Sequence, residues 1–296
     1  MIKAIGQQLR VRQWTKNLVV FAGVIFSYHF TDPHELARAG QAFVCFCLLA
    51  SSVYTLNDLR DRNADRLHPK KRLRPIPSGR LPIGAALAMI FVLFGLALVL
   101  ALPLGPPFAI TAGIYYALNL AYSLVLKRVV LLDVMLIALG FVLRAVAGVE
   151  ALRVAEEISP WLLICTLFLA LFLAVCKRRQ ERVLLADQAE GHRSTLSEYP
   201  PELVDQLVPV VTAATVIAYA IYTVSPTTVE KFGTDKLVYT IPFVVYGVFR
   251  YLYLVYRRRR GGSPSEVLLT DIPTLANVVL WIGAVLLILI FAGNRV

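Results

Sequence analysis

The sequence predicts an all-α, polytopic membrane protein of about nine transmembrane helices. Three observations carry that prediction. Of the 296 residues, 58% are apolar and only 17% charged, with a mean hydropathy of +0.67, whereas a soluble domain runs nearer 45–50% apolar and about 25% charged. The apolar residues fall into runs close to the roughly 20 residues that one membrane-crossing helix needs. Between the runs, Lys and Arg collect in alternate connections.

Taken in order, the expected spans are 18–30, 41–56, 82–102, 107–126, 130–149, 159–176, 204–224, 237–256 and 273–292. The first follows MIKAIGQQLRVRQWTKN, which is polar and basic. No small-residue cleavage site comes after that run, so no signal peptide is expected. LPLGPP (102–107) separates the third span from the fourth, Lys127-Arg128 the fourth from the fifth, and Pro200-Pro201 leads into the seventh. With nine spans the termini lie on opposite sides. One set of connections holds 23 Lys and Arg and the opposite set five, while Arg144 and Arg250 fall inside spans. The positive-inside rule then places the N-terminus in the cytoplasm of a cell-membrane protein and the C-terminus outside. Spans of this number leave only short connections, so residues 1–296 are expected to form a single integral-membrane domain.

The formal charge of +11 would suggest nucleic acid in a soluble protein. Here it is expected of cytoplasmic loops facing membrane lipid, and no RNA-binding or zinc-finger pattern argues for a nucleic-acid partner. Cys45, Cys47, Cys165 and Cys176 lie in or beside apolar runs without metal-ligand spacing, and read as small buried residues. No P-loop and no Ser-His-Asp pattern is present. The two longest polar loops, 57–80 and 177–202, are both cytoplasmic on this topology, and each carries acids and bases.

The first of these loops is the most informative. If the second span continues as a helix, Asp61, Asp65 and Asp58 lie about 40°, 80° and 100° from Asn57. Three carboxylates and an amide on one stripe suit a hard cation such as Mg²⁺, which accepts oxygen ligands and leaves room for water and phosphate oxygens. The structural alternative is a solvated helix end whose acids pair with Arg60, Arg62 and Arg66.

Asn57-Asp58-x-x-Asp61-x-x-x-Asp65 after the second span resembles the first aspartate motif of UbiA-type membrane prenyltransferases. HPKKRLRPIPSG (68–79) and AYSLVLKR (121–128) are similar to that superfamily as well. The resemblance implies a UbiA-like helical bundle with a cytoplasm-facing active-site cavity, and Asn57, Asp58, Asp61 and Asp65 as ligands of Mg²⁺ bridged to a diphosphate. RVRQWTKN (10–17), VLRAVAG (142–148), KRRQE (177–181) and SPSEVLLTDIP (263–273) resemble the narrower branch of decaprenyl-phosphate phosphoribosyltransferases. Typical UbiA prenyltransferases carry a second Asp-rich motif after the sixth span. This chain has Lys177-Arg178-Arg179-Gln180-Glu181 there, with Asp187 farther on. Phosphoribosyl pyrophosphate brings a 5-phosphate and the lipid acceptor a further phosphate, and cations meet such groups directly.

The implied activity is transfer of 5-phosphoribosyl from phosphoribosyl pyrophosphate to a polyprenyl (decaprenyl) phosphate, in the synthesis of arabinan cell-wall precursors. Asp58, Asp61 and Asp65 are the expected catalytic residues. Lys16, Asn57, Lys70, Arg72, Arg74, Lys127, Arg144, Lys177, Arg178, Glu181 and Tyr199 are the expected substrate contacts. Each cytoplasmic cation also has a plain alternative as a lipid anchor, and Arg257 to Arg260 are read that way. Arg144, roughly 16 Å along a helix from Asp133, faces either a phosphate or a structural partner. Arg250 is expected to snorkel. Glu198-Tyr199-Pro200 reads as a lid over the site or as the start of a span. The competing enzyme is a polyprenyltransferase moving a prenyl group from its diphosphate to an aromatic or other acceptor. A transporter would instead place its acids deep in the spans. The sequence leaves a homo-oligomer open.

Overall fold

The computed structural model describes residues 1–69, 71–153, 157–186, 199–257 and 264–293, and the side chains of 184–186 and 293 are left aside. Lys70, Asp187, Glu198 and Arg258 to Arg260, singled out above, lie outside the described residues. The described secondary structure is helical throughout. Seven helices among the described residues are long and apolar enough to cross a membrane: Pro33–Arg60, Ile83–Leu104, Leu132–Glu150, Pro160–Val183, Pro201–Val224, Lys236–Arg257 and Ile272–Ala292.

Two of the nine expected spans are not among the seven. Residues 18–30 are not one helix: a 3₁₀ segment, Val11–Val20, runs into the six-residue helix Phe21–Phe26. Polar side chains there find partners on Pro33–Arg60, Trp14 Nε1 donating to Ser51 Oγ (3.1 Å) and Asn17 Nδ2 to Cys47 Sγ (3.2 Å). Residues 107–126 do form a helix, Pro106–Leu124. Its two leading prolines, three tyrosines and Asn119 leave it without a stretch of 18 residues as apolar as those in the seven.

The chain divides into two compact units, Met1–Lys127 with Gly140–Ile158, and Arg128–Leu139 with Ser159–Val296. In the first unit lie α1 (Ile2–Gln8), α2 (Phe21–Phe26), α3 (Pro33–Arg60), α4 (Arg62–Leu67), α5 (Ile83–Ala101) and α6 (Pro106–Leu124). The helix α7 (Leu132–Glu150) begins in the second unit and ends in the first. Asp32 starts α3 as N-cap, its side chain accepting from His34 N at 2.8 Å, with Pro33 at the first helical position. The helix α3 packs against α5, α6 and the 3₁₀ segment. Phe46 at its centre meets Phe108 edge-on (centroids 6.0 Å apart) and Tyr115 (4.8 Å). The glycine pair Gly23 and Gly148 lets α2 and α7 touch backbone to backbone: a Cβ on Gly148 would sit 2.1 Å from Val20 O, and one on Gly23 2.2 Å from Gly148 C.

The second unit holds α8 (Pro160–Ala186), α9 (Pro201–Val224), α10 (Pro226–Phe232), α11 (Ile241–Arg257), α12 (Pro264–Thr270) and α13 (Ile272–Gly293). The main packing pairs are α8 with α9 and α11 with α13. Phe172, Val208, Val248 and Tyr251 form the core, with Phe172 edge-on to Tyr251 at 5.6 Å. Arg250 does not simply reach for water: it forms a bidentate pair with Asp271 (3.0 and 2.8 Å), which also caps α13 through Thr274 N and Oγ1. The Arg250 guanidinium holds the Asp271 carboxyl well below the usual carboxylate range. Cys45, Cys47 and Cys176 are buried and all four cysteines are free.

Candidate active site

The acidic motif sits where α3 stops. Asp61 is the residue at the break (φ −85°, ψ 10°), its N–H bonded to Asn57 O, and α4 restarts at Arg62. The expected continuous stripe is therefore interrupted, and each acid has its own surroundings. Asp58 is 2% exposed and accepts from Arg10 Nη2 (2.5 and 2.7 Å), Gln8 Nε2 (3.0 Å) and Arg74 Nη1 (2.9 Å). Asp65, also buried, accepts from the same Arg74 Nη1 at 2.7 Å, with Lys71 Nζ at 3.8 Å. Asp61 is half exposed and paired with Lys127 Nζ at 3.1 Å. Arg60 and Arg66, the partners that the alternative of a solvated helix end would give these acids, instead donate to the carbonyls of Ser123 and Pro77. Arg10, Arg74 and Lys127, the cations that do meet these acids, lie just after α1, in the loop after α4 and just after α6.

Arg10 is positioned by an unusual backbone. Its φ of 54° lies in the left-handed region, which a non-glycine residue rarely adopts, and it turns α1 into the 3₁₀ segment. The guanidinium then lies 5.1 Å from the Tyr54 ring centroid as well as on Asp58.

In the second unit a buried network joins the start of α7, the end of α8 and Tyr199, two residues before α9. Asp133, 1% exposed, accepts from Arg178 Nε (2.8 Å) and Tyr199 Oη (2.6 Å). Leu131 N–H donates to the Tyr199 hydroxyl at 2.7 Å. Arg178 also bonds Glu181, which pairs with the half-exposed Lys177 at 3.6 Å. Burial and the bond to Asp133 push the Tyr199 phenol up, so it remains a proton donor.

Residues 18–271 match the UbiA prenyltransferase family. The chain belongs to that family. It is 33% identical to a decaprenyl-phosphate phosphoribosyltransferase of Corynebacterium glutamicum, the match covering 97% of this chain and 86% of the relative. A protein of the same name from Mycolicibacterium smegmatis is 32% identical over 96% of this chain and 92% of its own. Among solved structures, a UbiA homolog from Archaeoglobus fulgidus bound to GPP and Mg²⁺ superposes with a TM-score of 0.73 at 20% identity, covering 97% of this chain and 99% of that one.

Against this family background most of the expected site residues fall into three groups. Asp58, Asp65 and Arg74 form one cluster, beside the pair of Asp61 and Lys127; Asn57 is half-buried one residue before Asp58. Lys177, Arg178, Glu181 and Tyr199 form a second cluster through Asp133. Arg144 stands apart, 6% exposed, its Nε on Asn17 Oδ1, Nη1 on Gly140 O and Nη2 on Tyr115 Oη, each at 2.7 Å. These partners, an amide oxygen, a carbonyl of its own helix and a phenol, are all neutral. Lys16 is half-buried in the 3₁₀ segment and Arg72 is exposed.

Three residues escaped the sequence reading. Arg10 was visible as the first residue of RVRQWTKN, Gln8 gave no signal, and Asp133 was an acid at the head of a span beside Lys127-Arg128. No three His, Cys, Asp or Glu among the described residues are close enough to share a metal ion. The donors nevertheless fit a cation borne by a phosphate substrate. Magnesium in such sites takes one or two carboxylates and fills its other positions with water and phosphate oxygens. Asp58 and Asp65 converge on one positively charged atom, Arg74 Nη1, which marks the point where their fields meet.

Proposed function

We propose that the protein transfers the 5-phosphoribosyl group of phosphoribosyl pyrophosphate to decaprenyl phosphate or a similar polyprenyl phosphate, releasing pyrophosphate. The observation that carries this reading is the joint approach of Asp58 and Asp65 to one cationic nitrogen at the end of α3. The names of the relatives at about a third identity support it. Asn57, Asp58, Asp61 and Asp65 are the residues that would hold Mg²⁺, and a bound Mg²⁺ neutralises charge on the departing pyrophosphate.

The remaining work is positioning and charge. Arg10 fixes the Asp58 carboxylate from the side of α1, so that its oxygens face Arg74. Arg74, Lys71, Lys127 and, from the loop, Arg72 and Lys70 supply ammonium and guanidinium groups for phosphate oxygens, with Lys16 at the 3₁₀ segment. In the second unit Lys177 presents its half-exposed ammonium to a phosphate. Asp133 and Tyr199 are positioning residues that hold Arg178, and through it Glu181. Arg144 acts on packing rather than on substrate. As the C1–O bond to pyrophosphate breaks, its electron pair leaves with the pyrophosphate, and a lipid phosphate oxygen forms the new bond to C1. That oxygen is anionic at neutral pH, so no strong general base is needed.

The chain resides in the cell membrane, with its N-terminus in the cytoplasm where a soluble donor is available, and its product serves cell-wall arabinan precursors. Purified protein incubated with Mg²⁺, labelled phosphoribosyl pyrophosphate and decaprenyl phosphate should move label into the organic phase. Asp58→Asn and Asp61→Asn should each abolish that transfer while the protein still inserts in membranes. Label that remains aqueous, with prenyl transfer from a diphosphate to an aromatic acceptor instead, would establish the competing activity and refute this one.

A further inference from the structure

The second unit carries a groove of about 780 Å³ between α9 and α11, apart from the residues assigned above. Val208, Pro209, Ala213, Val216 and Ile217 line one wall and Phe249 and Leu252 contribute to the other. Ile217 and Phe249 are more than half exposed although they lie inside spans, so the groove opens toward lipid. From Asp205 to Ile217 it follows α9 for about 18 Å, close to the half-thickness of about 15 Å for a hydrocarbon core of about 30 Å.

One end of the groove is polar. Asp205 and Tyr256 line it there, and Arg179 on α8, behind the lining, contacts both. Arg179 Nε donates to Asp205 Oδ1 at 2.6 Å, and its guanidinium carbon stacks 3.7 Å from the Tyr256 centroid. Stacking and the Nε bond fix the plane of the guanidinium. Its two Nη atoms have no hydrogen-bond partner among the described residues, and the side chain is 19% exposed. A fixed guanidinium whose Nη edge no described residue occupies is a fork able to receive phosphate oxygens. Arg257 follows Tyr256 and is exposed, and Arg182 lies one turn beyond Arg179, so the helix ends meeting here carry three cations beside the acids Asp205 and Glu202. The polar end belongs to the end of α8, the start of α9 and the end of α11, the face with the excess of Lys and Arg.

We infer that this groove is a binding site for an anionic phospholipid of the bilayer, with one acyl chain along α9 and α11 and the phosphate on Arg179 and Arg257. An apolar channel one leaflet long, closed at its head by net positive charge, matches that chemistry. A zwitterionic lipid brings a cation of its own to the same end and gains less. The site would tie α8, α9 and α11 together at their common end.

The test uses the full-length protein purified in detergent and stripped of lipid, with native mass spectrometry counting bound phosphatidylglycerol or phosphatidylcholine of identical chains. At about fivefold per surface arginine, the wild type should prefer phosphatidylglycerol by at least that factor. Arg179→Gln with Arg257→Gln should remove the preference and leave residual binding of both lipids. Because the first variant also removes the pair with Asp205, Ala213→Trp serves as a second variant. It fills the groove without touching the head, and should reduce binding of both lipids while circular dichroism stays unchanged. Equal binding of the two lipids by the wild type, or a preference that survives both variants, would overturn the inference. So would one-for-one displacement of phosphatidylglycerol by polyprenyl phosphate, which assigns the groove to the acceptor. A groove variant that alters oligomeric mass at constant lipid count would assign it to a second copy of the chain.

Discussion

Arg74→Gln separates the competition at the acidic motif from the rest of the site. Arg74 Nη1 bonds Asp58 at 2.9 Å and Asp65 at 2.7 Å, so a divalent cation taken by those carboxylates competes with it. A hydrogen bond between charged groups contributes about 1.5–3 kcal/mol net, and two at the lower end make about 3. Arg74 is one-third exposed, and solvent screening reduces the sum to about 2 kcal/mol. Gln at this position keeps some hydrogen bonding and loses the charge. Free divalent metal should then bind about 30-fold more tightly, measured by titrating Mn²⁺ into detergent-solubilised protein without donor and following the free-ion electron paramagnetic resonance signal. Adding Asp58→Asn to the same chain should cancel the gain. Without metal the variant should melt below the wild type, because Asp58 and Asp65 lose a shared counter-ion, and saturating Mg²⁺ should restore it. Equal metal affinity in wild type and Arg74→Gln would refute the competition.

Three further outcomes follow from the geometry. The Asp271 carboxyl titrates below its unfolded value near 3.9, so its pairing with Arg250 stabilises the fold fully above that pH and loses this contribution as pH falls toward the folded value; the melting difference between wild type and Asp271→Asn should be constant from pH 7 to 5 and shrink below pH 4. Tyr199→Phe removes one bond to Asp133 and leaves Leu131 N–H without the hydroxyl, at a cost of about 1–3 kcal/mol readable as a lower melting temperature. Gly148→Ala must push α2 away from α7 and should lower stability sharply, whereas Gly40→Ala, with open space around it, should be neutral or mildly stabilising in the same melting assay.

Runs of apolar residues located most of the long helices within a few residues, because burial in lipid demands an uninterrupted apolar length. The segment 18–30 misled because Trp14 and Asn17 spend their polar groups on α3, and a short helix anchored in that way needs less apolar length than a lone span. The acidic motif was legible as residues and not as geometry. Spacing assumed one helix through Asp61, where α3 in fact ends, and it could not reveal partners 48, 16 and 66 positions away: Arg10 and Arg74 for Asp58, and Lys127 for Asp61. Lys177-Arg178-Arg179-Gln180-Glu181 was legible as a run of charge at a span end. That Arg178 turns inward to Asp133 while Arg179 stacks on Tyr256 depends on which way α8 faces, and adjacent residues on a helix point about 100° apart.

The surroundings of Arg144 bear on how the chain is made. A lone arginine at the middle of a segment leaving the translocon opposes its entry into lipid by about 2.5–3.5 kcal/mol. Asn17 and Tyr115, which receive its guanidinium, are both synthesised earlier. Residues upstream thus prepare a polar niche before the charged segment emerges. Changing Asn17 or Tyr115 would surface first as a defect in biogenesis, with the segment around Arg144 stalled at the membrane surface and handed to quality control.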